Sequence, residues 1–412
     1  MADVRIVIIG GGPAGLMAAN QLEKNKIDYI LLEKNNHVGA KLRITGGGRC
    51  NVTNRFGVDA FIDHLTCHHK RFIYGSLTMF GPNDVIGFFK SKGLNLTLEH
   101  HFKYFPETKK SQSVIDALTK DLDMKRIYYM QSVHEIQPTS KGFDVITQKE
   151  TFHATHVVVA VGSASYPKTG STGDGLAFAQ QLDIDFSPYT PAETHIYANM
   201  AKLNLSDLQG LSLAQREIHI KQTKKRVVDD LIFTHYGLSG PGIMHLSEDI
   251  YFALQKGKTS VEIKLIDKEP SDFDLDIQSA CADKVFLLKF LDHYVPKRLS
   301  KKILELCRLE NIPTNQLKKT DWLQLKNLLF HFSIPIDRVE DKEKAYVNAG
   351  GITLSELDPK TMMVKKIPNL YYIGEVVNLH GPIGGYNITM ALSMGVQCAL
   401  GIYQQLNEKK RQ

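Results

Sequence analysis

Residues 4–15 read VRIVIIGGGPAG, a β-branched run that leads directly into a cluster of glycines. A short apolar run of this kind is typical of a buried strand in a parallel sheet. A helical pattern follows, and Tyr29–Leu32 then forms a second apolar run that is closed by Glu33. The sequence therefore predicts a strand, a glycine-rich turn, a helix, a strand and an acid, in the order of a dinucleotide-binding βαβ unit.

Each part of this unit has a structural role in binding a dinucleotide. Gly10 permits the tight turn, Gly12 lets the backbone approach a pyrophosphate at the helix N-terminus, and Gly15 allows close helix–strand packing. Glu33 can accept hydrogen bonds from ribose hydroxyls, and its charge disfavours a 2′-phosphate, so FAD or NAD is favoured over NADP. The alternative is a glycine-rich turn in an empty βαβ unit.

Two distant segments favour FAD over NAD. Residues 39–54 read GAKLRITGGGRCNVTN, a flexible loop that can bring the backbone close to a flat polar ring. Near the C-terminus, an apolar run ends in Gly374-Glu375, and residues 384–387 (GGYN) open a long helical pattern. This return resembles the second flavin-contacting segment of two-dinucleotide-domain flavoproteins, and an NAD dehydrogenase has no need of it. The run HVVVAV (156–161) with Gly162 matches the place where such proteins cover the cofactor.

Several long motifs, in order along the chain, are similar to those of one bacterial family. They are TGGGRCNVTN (45–54), YPKTGSTGDG (166–175), FTHYGLSGPG (233–242), AGGI (349–352) and YYIGEVVNLHGPIGGYN (371–387). On these motifs the chain resembles the aminoacetone-oxidase/BaiN-like family of bacterial NAD(P)/FAD-dependent oxidoreductases, over nearly its whole length. The resemblance implies a cytoplasmic FAD-binding flavoprotein whose activity is the oxidation of an amino ketone or the reduction of a steroid enone.

The resemblance also implies the fold, which is α/β. We expect a Rossmann-like FAD-binding domain of the two-dinucleotide-domain flavoprotein type, with inserted small β-barrel and helical domains. The FAD-binding domain is predicted over 1–190 and 346–412, the β-barrel-like domain over 191–268 and 332–345, and the helical domain over 269–331. The insertion holds no second GxGxxG after a strand, so no dedicated NAD(P) domain is indicated.

We predict that FAD contacts residues from each of these segments. Lys41 and Arg49 are expected to neutralise a phosphate or the reduced flavin, unless they are merely solvated charges. Cys50 is expected to be a small packed side chain, with a reactive thiol as the alternative. The predicted FAD-binding residues are Gly10, Gly12, Pro13, Ala14, Gly15, Glu33, Lys34, Lys41, Gly46, Gly47, Arg49, Cys50, Asn51, Val133, Ala160, Gly162, Gly374, Glu375, Gly385, Tyr386, Asn387 and Ile388.

The catalytic group is not identified by the sequence, and three residues are candidates. His235 has an unperturbed pKa near neutrality, which suits an acid or base, although a structural role in its glycine-rich turn is equally expected. Tyr386 and His380 flank the C-terminal flavin loop and are candidates for contacting substrate. No metal site is predicted, because His100 and His101 would point to opposite faces of a strand.

Composition bounds the class of protein. The 412 residues carry 50 Lys and Arg against 44 Asp and Glu, a net charge of +6 that is too weak and scattered to indicate a nucleic-acid partner. The five cysteines form no CxxC, which excludes the usual zinc spacings and a disulfide scaffold and fits a reducing compartment. The N-terminal apolar run is too short for a signal peptide and no stretch is long enough to span a membrane, so we expect a soluble cytoplasmic protein.

These observations favour an FAD-dependent oxidoreductase. We expect hydride transfer between bound flavin and a small organic substrate, such as an amine, an amino ketone or an enone, with the protein supplying orientation and electrostatics. Oxygen or NAD(P)H is the expected redox partner. The first alternative is a flavoprotein that modifies or binds RNA, and the second is a flavin-binding protein with a sensing or assembly role.

Overall fold

The computed structural model of the protein describes the backbone of residues 5–411 and the side chains of residues 5–408. The first predicted strand was expected to begin at Val4, which lies outside the described residues; the observed strand is Ile6–Ile9.

The described residues form strands and helices along the whole chain. The strands are β1 (Ile6–Ile9), β2 (Tyr29–Glu33), β3 (Thr53–Asn54), β4 (Leu96–Leu98), β5 (Lys103–Pro106), β6 (Ile127–Tyr129), β7 (Val133–Thr139), β8 (Gly142–Thr147), β9 (Thr151–Ala154), β10 (His156–Val159), β11 (Phe186–Ala192), β12 (Ile196–Tyr197), β13 (Ser212–Ile220), β14 (Arg226–Phe233), β15 (Gly237–Ser239), β16 (Thr259–Ile263), β17 (Phe332–Ile336), β18 (Arg338–Val339), β19 (Val347–Ile352) and β20 (Leu370–Tyr372). The helices are α1 (Pro13–Lys24), α2 (Ala40–Ile44), α3 (Val58–His64), α4 (Tyr74–Met79), α5 (Pro82–Ser91), α6 (Ser111–Thr119), α7 (Asp174–Gln181), α8 (Pro241–Lys256), α9 (Pro270–Ala282), α10 (Leu287–Leu291), α11 (Lys297–Cys307), α12 (Lys319–Phe330) and α13 (Tyr386–Arg411).

A five-stranded sheet in the order β20-β10-β1-β2-β6 contains both strands of the predicted βαβ unit. Its neighbouring strands are all parallel, with Ile6 opposite Tyr29 in β2 and opposite His156 in β10. Every residue of β1, β2, β10 and β20 is buried, because the sheet is covered on both faces and its strands are apolar. The predicted Rossmann-like α/β fold is confirmed.

The parallel arrangement decides where the site lies. Strands that run in the same direction end at the same edge of a sheet, and ligands of such sheets bind at the carboxyl ends. The glycine turn after β1, the acid that ends β2, and the segments that follow β10 and β20 are therefore brought to one edge. These are four of the segments on which the sequence places the FAD contacts.

The long helix α13 packs directly against α1. A Cβ atom at Gly395 would lie 2.6 Å from the carbonyl oxygen of Ala14 and 3.1 Å from the backbone nitrogen of Ala18. Two antiparallel sheets, β7-β8-β9 and β3-β5-β4, and the strand pair β11-β19 are further parts of the fold. The C-terminal segment is thus fixed to the N-terminal βαβ unit by close helix packing.

The chain divides into two compact units. One comprises the residues up to Thr190 and those from Lys342 onward, and the other is Pro191–Asp341. The second unit contains an antiparallel sheet in the order β17-β16-β13-β14-β15-β12-β18, and its strands and helices share one hydrophobic cluster. The finer division into a β-barrel-like and a helical domain stays a prediction.

The structure of residues 5–411 was compared with the requirements of a membrane span and of a metal site. Within that range, no helix has both the length and the apolar character needed to cross a membrane. The same residues place no group of three or more His, Cys, Asp or Glu side chains where it could hold a metal ion.

The expectation that His100 and His101 lie in a strand is wrong, because a single turn of 3₁₀ helix spans His100–Phe102.

Candidate cofactor-binding site

The glycine turn after β1 has the geometry that a bound pyrophosphate requires. Gly10 has φ +107°, and a Cβ there would lie 2.5 Å from the carbonyl oxygen of Ala160. A Cβ at Gly15 would collide with the carbonyl oxygen of Gly10, so α1 can pack against β1 only without a side chain there. By contrast, no heavy atom lies within 4 Å of the position of a Cβ on Gly12.

Gly12 is the N-cap of α1 and supplies no side-chain cap. The first N–H groups of the helix therefore face this open space without an intrahelical partner, and they carry the positive end of the helix dipole. A diphosphate would satisfy these groups, so the residues present fit the pyrophosphate of a dinucleotide.

Glu33, at the end of β2, is buried and rigidly held. One of its carboxylate oxygens accepts a hydrogen bond from the Gly11 N–H at 2.8 Å, and the other accepts from the Asn35 N–H at 2.8 Å. The second oxygen also accepts from the Asn35 side-chain amide at 2.8 Å, so the oxygen bonded to Gly11 is the one that keeps a lone pair for a ribose hydroxyl. The neighbouring Lys34 is ion-paired with Asp174 and donates to the Thr172 hydroxyl at 2.7 Å.

An ion pair joins two segments that the sequence assigned to FAD. The Lys41 ammonium lies 2.6 Å from a carboxylate oxygen of Glu375 and also contacts the Ser165 hydroxyl. The Ser163 hydroxyl donates to the same Glu375 oxygen at 3.3 Å. Helix α2 and the segments after β10 and β20 therefore meet at one charged cluster.

The GGGRCNVTN loop and the C-terminal GGYN loop contact each other directly. Gly385 has φ +83°, and a Cβ there would lie 2.6 Å from backbone atoms of Thr53. The Asn54 side-chain amide donates to the carbonyl of Gly384 at 3.2 Å, and the Thr389 and Thr53 hydroxyls lie 2.9 Å apart. Tertiary structure thus builds one surface from two segments that are more than 300 residues apart, since the Thr53–Thr389 separation is 336 residues.

Asn51 holds a buried acceptor that the described residues leave unsatisfied. Its side-chain amide donates to the carbonyls of Thr53 at 2.9 Å and Tyr104 at 3.0 Å. Its Oδ1 atom is buried and has no hydrogen-bond partner in the described part of the chain. An unsatisfied buried acceptor costs about 1–3 kcal/mol, so this atom fits a donor on a ligand, such as a flavin N–H.

Arg49 is not a free cation. Its guanidinium pairs with Glu99 at 2.9 Å and lies over the Phe105 ring at 4.2 Å. The prediction that Arg49 neutralises a phosphate would therefore require it to exchange or share the Glu99 partner.

Cys50 is buried in this loop, and burial raises the pKa of its thiol to about 11. The thiol is thus protonated at neutral pH, whereas a nucleophilic cysteine needs a thiolate. This agrees with the expectation of a packed side chain.

We expect Cys50→Ser to leave flavin content and most turnover unchanged, because no thiolate is available to react in the native protein. The measurement is the flavin-to-protein ratio together with the rate of turnover, compared with the wild type. Complete loss of turnover at normal flavin content would show instead that the thiol takes part in the reaction.

Tyr386 and Asn387 lie at the start of α13 and have different surroundings. The Tyr386 ring is 5% exposed and packs 4.7 Å from the Phe61 ring, and burial raises the pKa of its hydroxyl well above the usual range. The Asn387 side chain accepts from the Gly381 N–H at 2.9 Å and donates to the Gly381 carbonyl at 2.8 Å. Asn387 therefore closes the 381–387 loop, and a direct flavin contact of its side chain stays a prediction.

The other two catalytic candidates occupy different environments. His380 is buried beside the same C-terminal loop. His235 belongs to the second unit, where it is exposed in the turn between β14 and β15 and its ring lies 4.8 Å from that of Tyr236. Their catalytic roles stay predictions.

The remaining predicted contacts lie at element ends. They are Pro13 and Ala14 at the start of α1, Val133 at the start of β7, Ala160 and Gly162 after β10, Gly374 after β20, Ile388 in α13, and Gly46 and Gly47 in the left-handed turn before Cys50. Three residues that contact these charged groups were not predicted: Asn35 at Glu33, Ser163 at Glu375 and Ser165 at Lys41. The convergence of strand ends could have indicated the two serines, because they follow β10 closely.

The fold and the site together define an FAD-dependent oxidoreductase with a Rossmann-like cofactor domain. The family described as "HI0933-like protein Rossmann domain" matches residues 4–401, and the chain belongs to this family.

Two curated relatives are similar over almost their whole length. A 3-dehydro-bile acid delta(4,6)-reductase of Clostridium scindens is 28% identical, over 95% of this chain and 97% of the relative. A ribosomal RNA dihydrouridine synthase of Haemophilus influenzae is 26% identical, over 97% of this chain and 98% of the relative. The structure of 3-ketosteroid delta1-dehydrogenase from Sterolibacterium denitrificans superimposes with a TM-score of 0.52 at 10% identity, covering 97% of this chain and 99% of that one. At that identity the last likeness shows the fold alone.

We expect the purified protein to be yellow and to hold about one FAD per chain without a covalent bond, because the chain has one complete dinucleotide fingerprint. Acid precipitation followed by absorbance of the supernatant measures this. Colour that stays in the pellet would contradict the non-covalent part, and a colourless protein that takes up no FAD would contradict the site.

Proposed function

We propose that this protein reduces a carbon–carbon double bond that is conjugated with a carbonyl group. The observation that carries the proposal is full-length similarity to two reductive enzymes with unlike substrates. A 3-oxo steroid with a delta-4 double bond and the uracil ring of uridine share one reacting group, a C=C bond conjugated with C=O. A common scaffold is therefore best explained by this shared chemistry.

The reaction needs a hydride at the β-carbon, a proton at the α-carbon and a hydrogen bond to the carbonyl oxygen. Reduced flavin, when bound in the candidate site, would supply the hydride, and a donor such as NAD(P)H would reduce the flavin again. The chain supplies the proton and the hydrogen bond, and Tyr386 is the candidate donor of the hydrogen bond to the carbonyl oxygen. A phenol is protonated at neutral pH, and burial raises the pKa of Tyr386 further; its hydroxyl makes no hydrogen bond to another described residue. A neutral donor of this kind stabilises the negative charge that develops on oxygen.

The test is anaerobic. Protein with chemically reduced flavin is mixed with three compounds: a delta-4 3-oxo steroid acid, a uridine-containing ribosomal RNA fragment, and a saturated ketone as the control. The expected result is return of the oxidised flavin absorbance with a conjugated acceptor but not with the saturated ketone, and a product heavier by one H₂ by mass spectrometry. Failure of every conjugated acceptor, with prompt reoxidation by oxygen, would contradict the proposal.

Reduction of a uracil ring in RNA is the second candidate. The reason to test it is the name of the relative from Haemophilus influenzae and of a ribosomal RNA dihydrouridine synthase of Escherichia coli, which is 26% identical over 95% of this chain. The same experiment separates the two, because only one of the conjugated acceptors would be turned over efficiently.

A further inference from the structure

Beside the C-terminal GGYN loop lies a group of aromatic rings and cations that no predicted FAD contact uses. We name it the aromatic surface and define it as Arg55, Phe56, His64 and Phe102. Phe56 stacks on His64 with the ring centres 4.4 Å apart, and it meets Phe102 edge-on at 5.4 Å. The rings therefore form one contiguous cluster.

The aromatic surface is continuous with the candidate site. The Phe56 ring centre lies 6.4 Å from that of Tyr386, and His64 lies 6.2 Å from the same ring. Asn54, which directly precedes Arg55 in the chain, donates to the carbonyl of Gly384. A ring bound on this surface would thus lie next to the residue that we propose to contact the substrate carbonyl.

Arg55 is exposed, and its guanidinium carbon lies 3.9 Å over the Phe102 ring. Among the described residues, no carboxylate lies within 4.0 Å of it, although Asp59 and Asp63 are on the adjacent helix α3. Arg49 and Arg126 in the same unit are both ion-paired. Stacking leaves the donor edge of a guanidinium free, and this edge matches a carboxylate or a phosphate.

The Phe102 ring is exposed on a backbone segment with an unfavourable conformation. It is 41% exposed, and it and His101 have φ values of +60° and +57°, a conformation that is rare for bulky residues. An exposed aromatic ring held in a strained backbone is a feature that clusters at ligand sites.

We propose that the aromatic surface binds a planar unsaturated ring that carries an anionic group, with the ring against Phe56 and Phe102 and the anion on Arg55. The inference rests on the proposed function and specifies its substrate class. A bile-acid carboxylate and a nucleotide phosphate are two sources of this chemistry.

The test compares Arg55→Gln and Phe102→Leu with Arg126→Gln as the matched control. Arg126 is also a cation over an aromatic ring, at 5.2 Å from Tyr29, but it lies directly before β6, at the amino ends of the parallel strands. Binding is measured by the change in flavin absorbance and needs no turnover. The probes are a 3-oxo delta-4 steroid acid with its methyl ester, and a short oligouridylate with uncharged uridine.

In one of the two probe pairs, the wild type should bind the anionic probe more tightly than its uncharged counterpart. We expect Arg55→Gln to weaken binding of that anionic probe by about tenfold or more, so that the two probes bind with similar affinity. KM should rise while kcat changes by less than about twofold. Arg55→Lys should recover part of the loss, and Phe102→Leu should weaken both members of the pair by about fivefold or more, because the stacked ring is lost.

Equal effects of Arg55→Gln on charged and uncharged probes, or the same loss in Arg126→Gln, would overturn the inference. If the wild type binds the anionic ring in this manner but does not reduce it, the proposed function fails and the inference stands. If the wild type reduces a conjugated acceptor and neither Arg55→Gln nor Phe102→Leu alters its binding, the inference fails and the proposed function stands.

Discussion

Gly12→Asp is expected to abolish FAD binding while the protein stays folded. Gly12 is the extended N-cap residue of α1 and has open space beside it, and aspartate is among the best residues at an N-cap. The added carboxylate would occupy the place of the pyrophosphate. Two unit charges about 4 Å apart repel by about 4 kcal/mol at an effective dielectric constant of about 20, which weakens binding by roughly a thousandfold.

The measurement is FAD affinity by fluorescence titration of the apoprotein, with circular dichroism to show that the fold is retained. Gly12→Asn is the matched control, because it has the same shape and the same capping ability without the charge. Gly57→Asp places the same charge at another N-cap with open space, where flavin content should stay normal. Normal flavin content in Gly12→Asp would show that the fingerprint is not the cofactor site.

Gly385→Ala is expected to separate the two loops of the candidate site. At φ +83° an alanine is strained by about 1–2 kcal/mol, and its Cβ would lie 2.6 Å from the backbone of Thr53, which is fully buried and cannot move aside. The GGYN loop must therefore shift. We expect FAD affinity to fall about tenfold or more and stability to fall by about 2–4 kcal/mol.

Urea unfolding and FAD titration of the same samples measure both effects. Gly87→Ala is the control, since Gly87 lies inside α5 with nothing within 4 Å of the added atom, and alanine in a helix is favoured over glycine by about 0.5–1 kcal/mol. Unchanged FAD affinity in Gly385→Ala would mean that the contact between the loops is not needed for the cofactor.

The sequence determined those features that depend on neighbouring residues. The β-branched run, the glycines and the acid predicted α1, β2, Glu33 and a first strand that includes β1, because strand burial, the tight turn and helix packing each constrain residue type locally. The C-terminal return to a long helix was predicted in the same way, and α13 begins within the GGYN motif. The family and its FAD-binding fold could be inferred from such motifs alone.

Other features could not be predicted, because they depend on which segments pack together. Lys41 is ion-paired with Glu375, which is 334 residues away, so the sequence could offer it only as a phosphate ligand or a solvated charge. Asn387 was predicted as an FAD-binding residue, and that contact stays a prediction; the two hydrogen bonds of its side chain to Gly381 have no signature in the sequence.

The aromatic surface was not foreseen at all. Phe56, His64 and Phe102 come from a loop, a helix end and a 3₁₀ turn, and no periodicity links them. Local sequence fixes backbone conformation and burial, whereas the pairing of charges, the distance between rings and the partner of each buried polar atom are set only when distant segments are packed together.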